Sequence, residues 1–302
     1  MKTTVQSIVL TTVIKNTVIT GIVVASGIAG GLAVGIILGK MLSNKAYVFE
    51  GEINVGLEDD YDALMQRYEE NPDANNFKPH EIANISWLKY AQEERTHSVA
   101  HCVVTAAIVK QHVYTHDVRV NNRFYSESVF HSSIKQGGFR FYQQNGQVIR
   151  YTASDVNANG TATWKEDTQF VCSLEDHETK WGKTLDRPII YIMSDQTILE
   201  EKVEVVDGQY VIDMELHPQK ANERYKRQMI GMSNLESPPS FKSLHLTLCC
   251  GLDYSLDKLL IHEAYTVYVV GRNDSDAINE VRFYHNSTEE IPDLETDYNY
   301  NF

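Results

Sequence analysis

Apolar and polar positions change period three times along the chain, and each change marks a different kind of element. Residues 17–39, TVITGIVVASGIAGGLAVGIILG, run for 23 positions without a charge. About 20 apolar residues cross a bilayer as a helix, so this stretch predicts a transmembrane helix. Within it Gly27, Gly31, Gly35 and Gly39 recur at every fourth position. That spacing gathers them into one shallow stripe, where the missing side chains let a second helix pack closely. A phosphate-binding loop is excluded, because Gly39 is followed by Lys40-Met41 rather than by Lys-Ser or Lys-Thr. The run exceeds the apolar region of about 7 to 15 residues found in a cleaved signal peptide. The segment after it, KMLSNKAYVFE, offers no small-residue cleavage site. The expectation is an uncleaved anchor.

After the anchor the period becomes helical. Residues 40–78 read as a stalk or accessory segment, with Leu57, Tyr61, Leu64 and Tyr68 on one face of a helix. NPDANNFKP then breaks the chain with two prolines. A second helix is predicted over about residues 80–94, with Pro79 at its first position and Ile82, Ile85, Leu88 and Ala91 along one face.

From Ser98 the period drops to two. SVAHCVVTAAI and HVYTHDVRVNNRFYSESVFHSS predict long strands. FRFYQQ and QVIRYTA flank Asn145-Gly146, and TILEEKVEVV and QYVIDMEL flank Asp207-Gly208, each the mark of a tight hairpin. In the second, Tyr210, Ile212, Met214 and Leu216 share a face opposite Asp213 and Glu215. Residues 161–188 are irregular apart from a short strand at ATWKED, and a helix is predicted over about 218–231. SLHLTLCC, KLLIHEAYTVYVV and INEVRFYHN complete nine to eleven strands, followed by an acidic tail at 287–302. Strands in adjacent hairpins with few helices indicate an α+β fold with a large antiparallel sheet, not alternating βαβ units.

Charge narrows the choice of partners. Lys2, Lys15 and Lys40 are the only charged residues in the first 40, which leaves 24 of the 27 bases against all 41 acids in the rest. So acidic a surface repels nucleic acid. Two lysines precede the apolar run and Lys40 and Lys45 follow it, so orientation rests on size. The expectation is a short cytoplasmic N-terminus at 1–16, a single pass through the cell membrane, and an extracytoplasmic C-terminal domain. The glycine stripe implies a homo-oligomer. Four N-x-S/T sequences, at Asn84, Asn159, Asn273 and Asn286, are glycan acceptors only in a eukaryotic secretory pathway. Cys102, Cys172, Cys249 and Cys250 show no metal-ligand spacing, and the sequence leaves open both buried free thiols and a Cys102–Cys172 disulfide.

The order of elements resembles the LolA/LppX-like lipoprotein-carrier superfamily. PHEIANISWLKYAQEERTHSVAHCVV matches its helix followed by a strand, GQYVIDMELHPQKANERYKRQM its strand–helix step, and SLHLTLCCGLDYSLDKLLIHEAYTVYVV its following strand pair. The resemblance covers about residues 79–286. It implies a sheet curled into a half-barrel, one or two covering helices, and an apolar cavity for acyl chains. The chain departs from the family in its glycine-rich anchor, which points to a tethered binder rather than a soluble shuttle.

No motif calls for catalysis, a cofactor or a metal. HExxH, GxSxG and SxxK are absent. His97 and His101 fall at the predicted helix–strand boundary, and His112 and His116 lie too far apart along a strand to share an ion. LEDDYD at 57–62 reads as a solvated helix start rather than a calcium loop. The apolar strand faces remain as candidates for lining a cavity: Phe124, Phe139, Phe141, Tyr151, Tyr210, Ile212, Met214, Leu246, Leu248 and Tyr265, with Val99, Val103, Ile149, Leu244 and Val267 beside them. The expected function is reversible burial of a lipid or other hydrophobic ligand, with no bond made or broken. The alternative is a structural or sensory surface protein that oligomerises through its anchor and binds a protein partner.

Overall fold

A computed structural model describes residues 56–106, 109–133, 136–156, 162–181, 187–232, 237–268 and 272–292. The expected membrane segment at 17–39, with its four glycines, lies outside these residues. Among the described residues no helix is long and apolar enough to cross a membrane.

Among the described residues eleven antiparallel strands form one open sheet: β1 (Arg95–Ala106), β2 (Val109–Val120), β3 (Arg123–Ser132), β4 (Gln136–Gln144), β5 (Gln147–Val156), β6 (Ala162–Ser173), β7 (Ile198–Val206), β8 (Gln209–Leu216), β9 (Ser240–Gly251), β10 (Leu256–Tyr268) and β11 (Arg272–His285). Their spatial order is β6-β5-β4-β3-β2-β1-β11-β10-β9-β8-β7. The chain thus meanders outward from β1 to β6, crosses over, and meanders back from β7 to β11, which pairs with β1 along its length. Among the described residues four α-helices accompany the sheet: α1 (Tyr61–Glu70), α2 (Pro79–Gln92), α3 (Leu174–Trp181) and α4 (Glu223–Met232). A large open sheet with few helices is consistent with a half-barrel.

Local chemistry explains the elements. Asp60 caps α1 by accepting from the Ala63 N–H at 3.0 Å. Pro79 opens α2, where Glu81 accepts from the Lys78 N–H at 2.9 Å. Asn145 and Gly146 adopt φ 53° and 73°, and Asp207 and Gly208 φ 51° and 79°, which closes both predicted hairpins with two-residue turns.

The helices cover one face of the sheet. Ile82, Ile85 and Trp87 of α2 join Ile212, Met214, Leu246, Leu248, Leu259 and Val281 in a continuous core that also takes in Leu64 of α1 and Tyr225 and Met229 of α4. Within residues 56–78, Leu64 and Phe77 join this core and Tyr61 of α1 stands edge-on to Trp87 of α2 at 5.3 Å. The acidic start of α1 is not merely solvated. Glu58 sits between Arg187 at 3.0 Å and Arg224 at 2.9 Å.

Several expectations need correction. β1 begins at Arg95, so His97 and His101 both lie within a strand. The short strand expected at ATWKED is the twelve-residue β6, and α3 follows it in a stretch that carries no clear periodicity. The run Ile189–Met193 is buried without joining the sheet, tied by Ile192 N–H to Ala221 O at 2.7 Å. The tail packs at its start, where Ile291 lies against Val118, Val120 and Tyr125. Asn84 is fully buried and donates to Met193 O at 2.8 Å, which excludes it as a glycan acceptor in the folded protein.

Candidate functional site

The covered face divides into two unlike halves. On β8 to β11 it is filled and largely apolar, with Glu263 as a buried exception. Ile212, Met214, Leu246, Leu248 and Tyr265 are all 0 % exposed within the shared core. Tyr210 is half-buried at its margin, 5.9 Å from the Tyr254 ring. These candidates face one another as expected, but α1, α2 and α4 occupy the space above them.

On β2 to β5 the same face is mixed. The registers place Phe124 opposite Arg119 and Gln143, Ser126 opposite Asp117 and Phe141, and Ser128 opposite Thr115 and Phe139. Thr115 and Ser128 share a hydrogen bond of 2.9 Å between their hydroxyls. Phe139 and Phe141 are buried, the first beneath Arg150, whose guanidinium lies 4.7 Å from the ring centre, and the second against His177 at 5.0 Å. Burial pushes Arg150 down to about 10.

Tyr151 departs from the group. It pairs with Arg140, whereas Phe139 pairs with Thr152 and Phe141 with Arg150, so Tyr151 lies on the far face. There it stands 5.2 Å from the Arg140 guanidinium. Val99, Val103 and Ile149 also belong to the far face, because the buried positions of β1 are Thr96, Ser98, Ala100, Cys102 and Val104. The reason is that β1 carries small apolar residues at both parities, so alternation alone cannot choose its inner face.

The helical cover ends at the C-terminus of α2, and a cleft of about 480 Å³ opens there. Ala91 to Glu94 form one wall; Arg119, Phe124 and Gln143 form the floor, with the β2–β3 turn at Asn121 and Asn122 and Arg123 as the other wall. The turn is bolted to the helix end. Asn121 N–H donates to Glu94 O at 2.6 Å, and Arg119 donates to Ala91 O. Glu93 faces the opposite way, accepting from Asn286 N–H at 3.1 Å and pairing with His285. Phe124 is thus the one ligand candidate that meets open space here. Arg119, Arg123 and Glu94 line the cleft beside the Phe124 ring.

The far face carries a row of histidines that residue spacing along single strands does not reveal. His101 Nε2 lies 3.0 Å from His112 Nδ1 across β1 and β2, and His97 stacks edge-on to His116 at 4.8 Å. Register sets His112 beside His131 and His245 beside His262. The signal existed as histidines of like parity on neighbouring strands, but it needs the register to be read. Among the described residues no group of three or more His, Cys, Asp or Glu side chains converges on one ion position.

The sequence matches no described protein family and no curated protein. Among solved structures, a DUF1329 family protein from Desulfovibrio piger is similar at 12 % identity, over 70 % of this chain and 93 % of that one, with a TM-score of 0.26. A match of that strength identifies no family.

Proposed function

We propose that this protein is a membrane-anchored, non-catalytic binder of an amphiphilic ligand, a lipid or other hydrophobe with a polar head. The observation that supports the reading is the cleft of about 480 Å³ at the end of α2. Its volume falls within the range of about 300 to 1,000 Å³ usual for small-ligand sites. Phe124 offers the apolar contact, and Arg119 and Arg123 sit where a polar or anionic head would lie, with Asn121, Asn122 and Gln143 beside them. The mechanism is reversible burial. The filled apolar half, Ile212 to Tyr265, serves as scaffold.

The test is to purify the full chain gently in a mild detergent, extract it with organic solvent, and examine the extract by mass spectrometry. A lipid at near-stoichiometric ratio supports the binder. No lipid, together with no uptake of a fluorescent fatty acid, sinks it. In that case the structural or sensory reading takes its place, favoured by the exposed strand β7 at the sheet's margin.

A further inference from the structure

Strand β7 ends the sheet, and among the described residues nothing pairs with its outer edge. Such an edge is a row of unsatisfied N–H and C=O groups that another strand can complete. Natural edges are usually short, bulged, charged or capped by proline. β7 carries Glu200, Glu201, Lys202 and Glu204 but runs nine residues, ILEEKVEVV, with its one register irregularity confined to Ile198/Glu200. Leu199, Val203, Val205 and Val206 are 53, 37, 62 and 45 % exposed.

We propose that this edge pairs with the same edge of a second copy, antiparallel and two-fold about Val203, joining two sheets into one. The hairpin fixes which groups are free. Asp207 and Gly208 form a two-residue turn with both φ positive, so Val206 and Gln209 make the closing hydrogen-bonded pair. Alternation then turns the backbone groups of Val206, Glu204 and Lys202 toward β8, and those of Val205, Val203 and Glu201 outward. Two copies must set outward residues opposite outward residues. Centring on Val203 does this and places Lys202 of each copy opposite Glu204 of the other, while Val205 meets Glu201. Centring on Glu201 or Glu204 sets a glutamate against itself, and centring on Lys202 sets Lys202 against itself and Glu200 against Glu204. Centring on Val205 makes no opposite-charge pair and runs into the turn, so of these registers only the one about Val203 pairs opposite charges.

Existing contacts permit it. Lys202 Nζ reaches Asp213 Oδ2 at 3.6 Å but its side chain is 63 % exposed, leaving it able to turn toward a neighbour. Glu201 spends its carboxylate on His80 at 2.9 Å on the covered face, which leaves its backbone available. This pairing is independent of the ligand cleft and of the glycine stripe.

The experiment uses the full chain in mild detergent with V203C and a short bis-maleimide, the parent chain serving as control for its own cysteines. The dimer band should rise well above the parent. K202E or E204K, each introduced with V203C, should lower the yield about tenfold, since each replaces two attractive cross-strand pairs by two repulsive ones. K202E/E204K together should restore it, and an equimolar mixture of the two single variants should cross-link as a heterodimer. A V203C yield no higher than the parent's overturns the proposal. So does a yield that the charge variants leave unchanged, or that the double variant and the mixture fail to recover.

Discussion

Tyr191 donates its hydroxyl hydrogen to Glu263 Oε2 at 2.9 Å, deep in the covered face, where both residues are at most 1 % exposed. Tyr225 donates to the other oxygen at 3.2 Å. A carboxyl group in an apolar core is costly unless its oxygens are satisfied. Burial and the neighbouring Glu263 hold both tyrosines well above their usual range, so they remain donors at any physiological pH. Tyr191→Phe should cost about 1 to 3 kcal/mol, and Tyr225→Phe less because its bond is longer. Urea denaturation of each variant checks this. An unchanged midpoint for both would show that Glu263 relies on its other neighbours.

His80 should make stability fall in alkaline solution. Burial pushes its imidazole down, but the hydrogen bond its ring donates to Glu201 and the fields of Glu201, Asp59 and Asp195 outweigh it and hold the pKa above its ordinary 6.5. Lys78, bonded to Asp195 at 2.6 Å, completes the charges around it. A folded pKa above the unfolded one gives stability that is complete below pH 6.5 and lost as pH rises through the folded value. His80→Asn should therefore cost about 2 kcal/mol at pH 6 and progressively less toward pH 9. Chemical denaturation of both proteins across that interval measures the gap, and a constant gap argues against a charged His80.

His97 and His116 should act in the opposite direction in acid. Burial lowers His97 to about 4 and, with the field of His97, lowers His116 to about 3. The unfolded chain takes up protons near 6.5 while the folded pair stays neutral, so stability falls as pH drops from about 6.5 toward 4. Each histidine contributes a slope approaching about 1.4 kcal/mol per pH unit in that window. His116→Phe should flatten the pH dependence measured by thermal or urea unfolding. The same slope in the variant would mean that other groups govern acid unfolding.

Phe124 should govern uptake at the cleft. Removing an aromatic contact of this size costs binding about tenfold in Kd, so Phe124→Ala should weaken uptake of a fluorescent fatty acid by that factor. Leu260→Ser, an exposed change on the far face, should leave uptake as it was. Equal affinity in Phe124→Ala, with the fold intact by circular dichroism, would place the ligand elsewhere.

Much of the architecture is written in local signals. Asn145-Gly146 and Asp207-Gly208 specify their hairpins because only turns with positive φ match the strand twist. Pro79 and the spacing of Ile82 and Ile85 specify α2, and the alternation of Tyr210, Ile212, Met214 and Leu216 specifies the face of β8. These depend on residues a few positions apart, and chain geometry alone enforces them.

Register, cover and closure required the tertiary structure. Nothing local says that β11 returns to β1, yet that pairing makes the sheet continuous. Val99 and Ala100 are both small and apolar, and only the packed core that takes in Ala100 decides which points inward. Tyr151 reads like Phe139 and Phe141 until the β4–β5 register sets it beside Arg140. His101 and His112 become neighbours only when their strands align. The cleft lies where the end of α2 meets the β2–β3 turn, a relation between residues about 30 apart in sequence that no periodicity encodes. Pattern determines what each segment becomes, whereas packing decides which of its faces, and which of its neighbours, it meets.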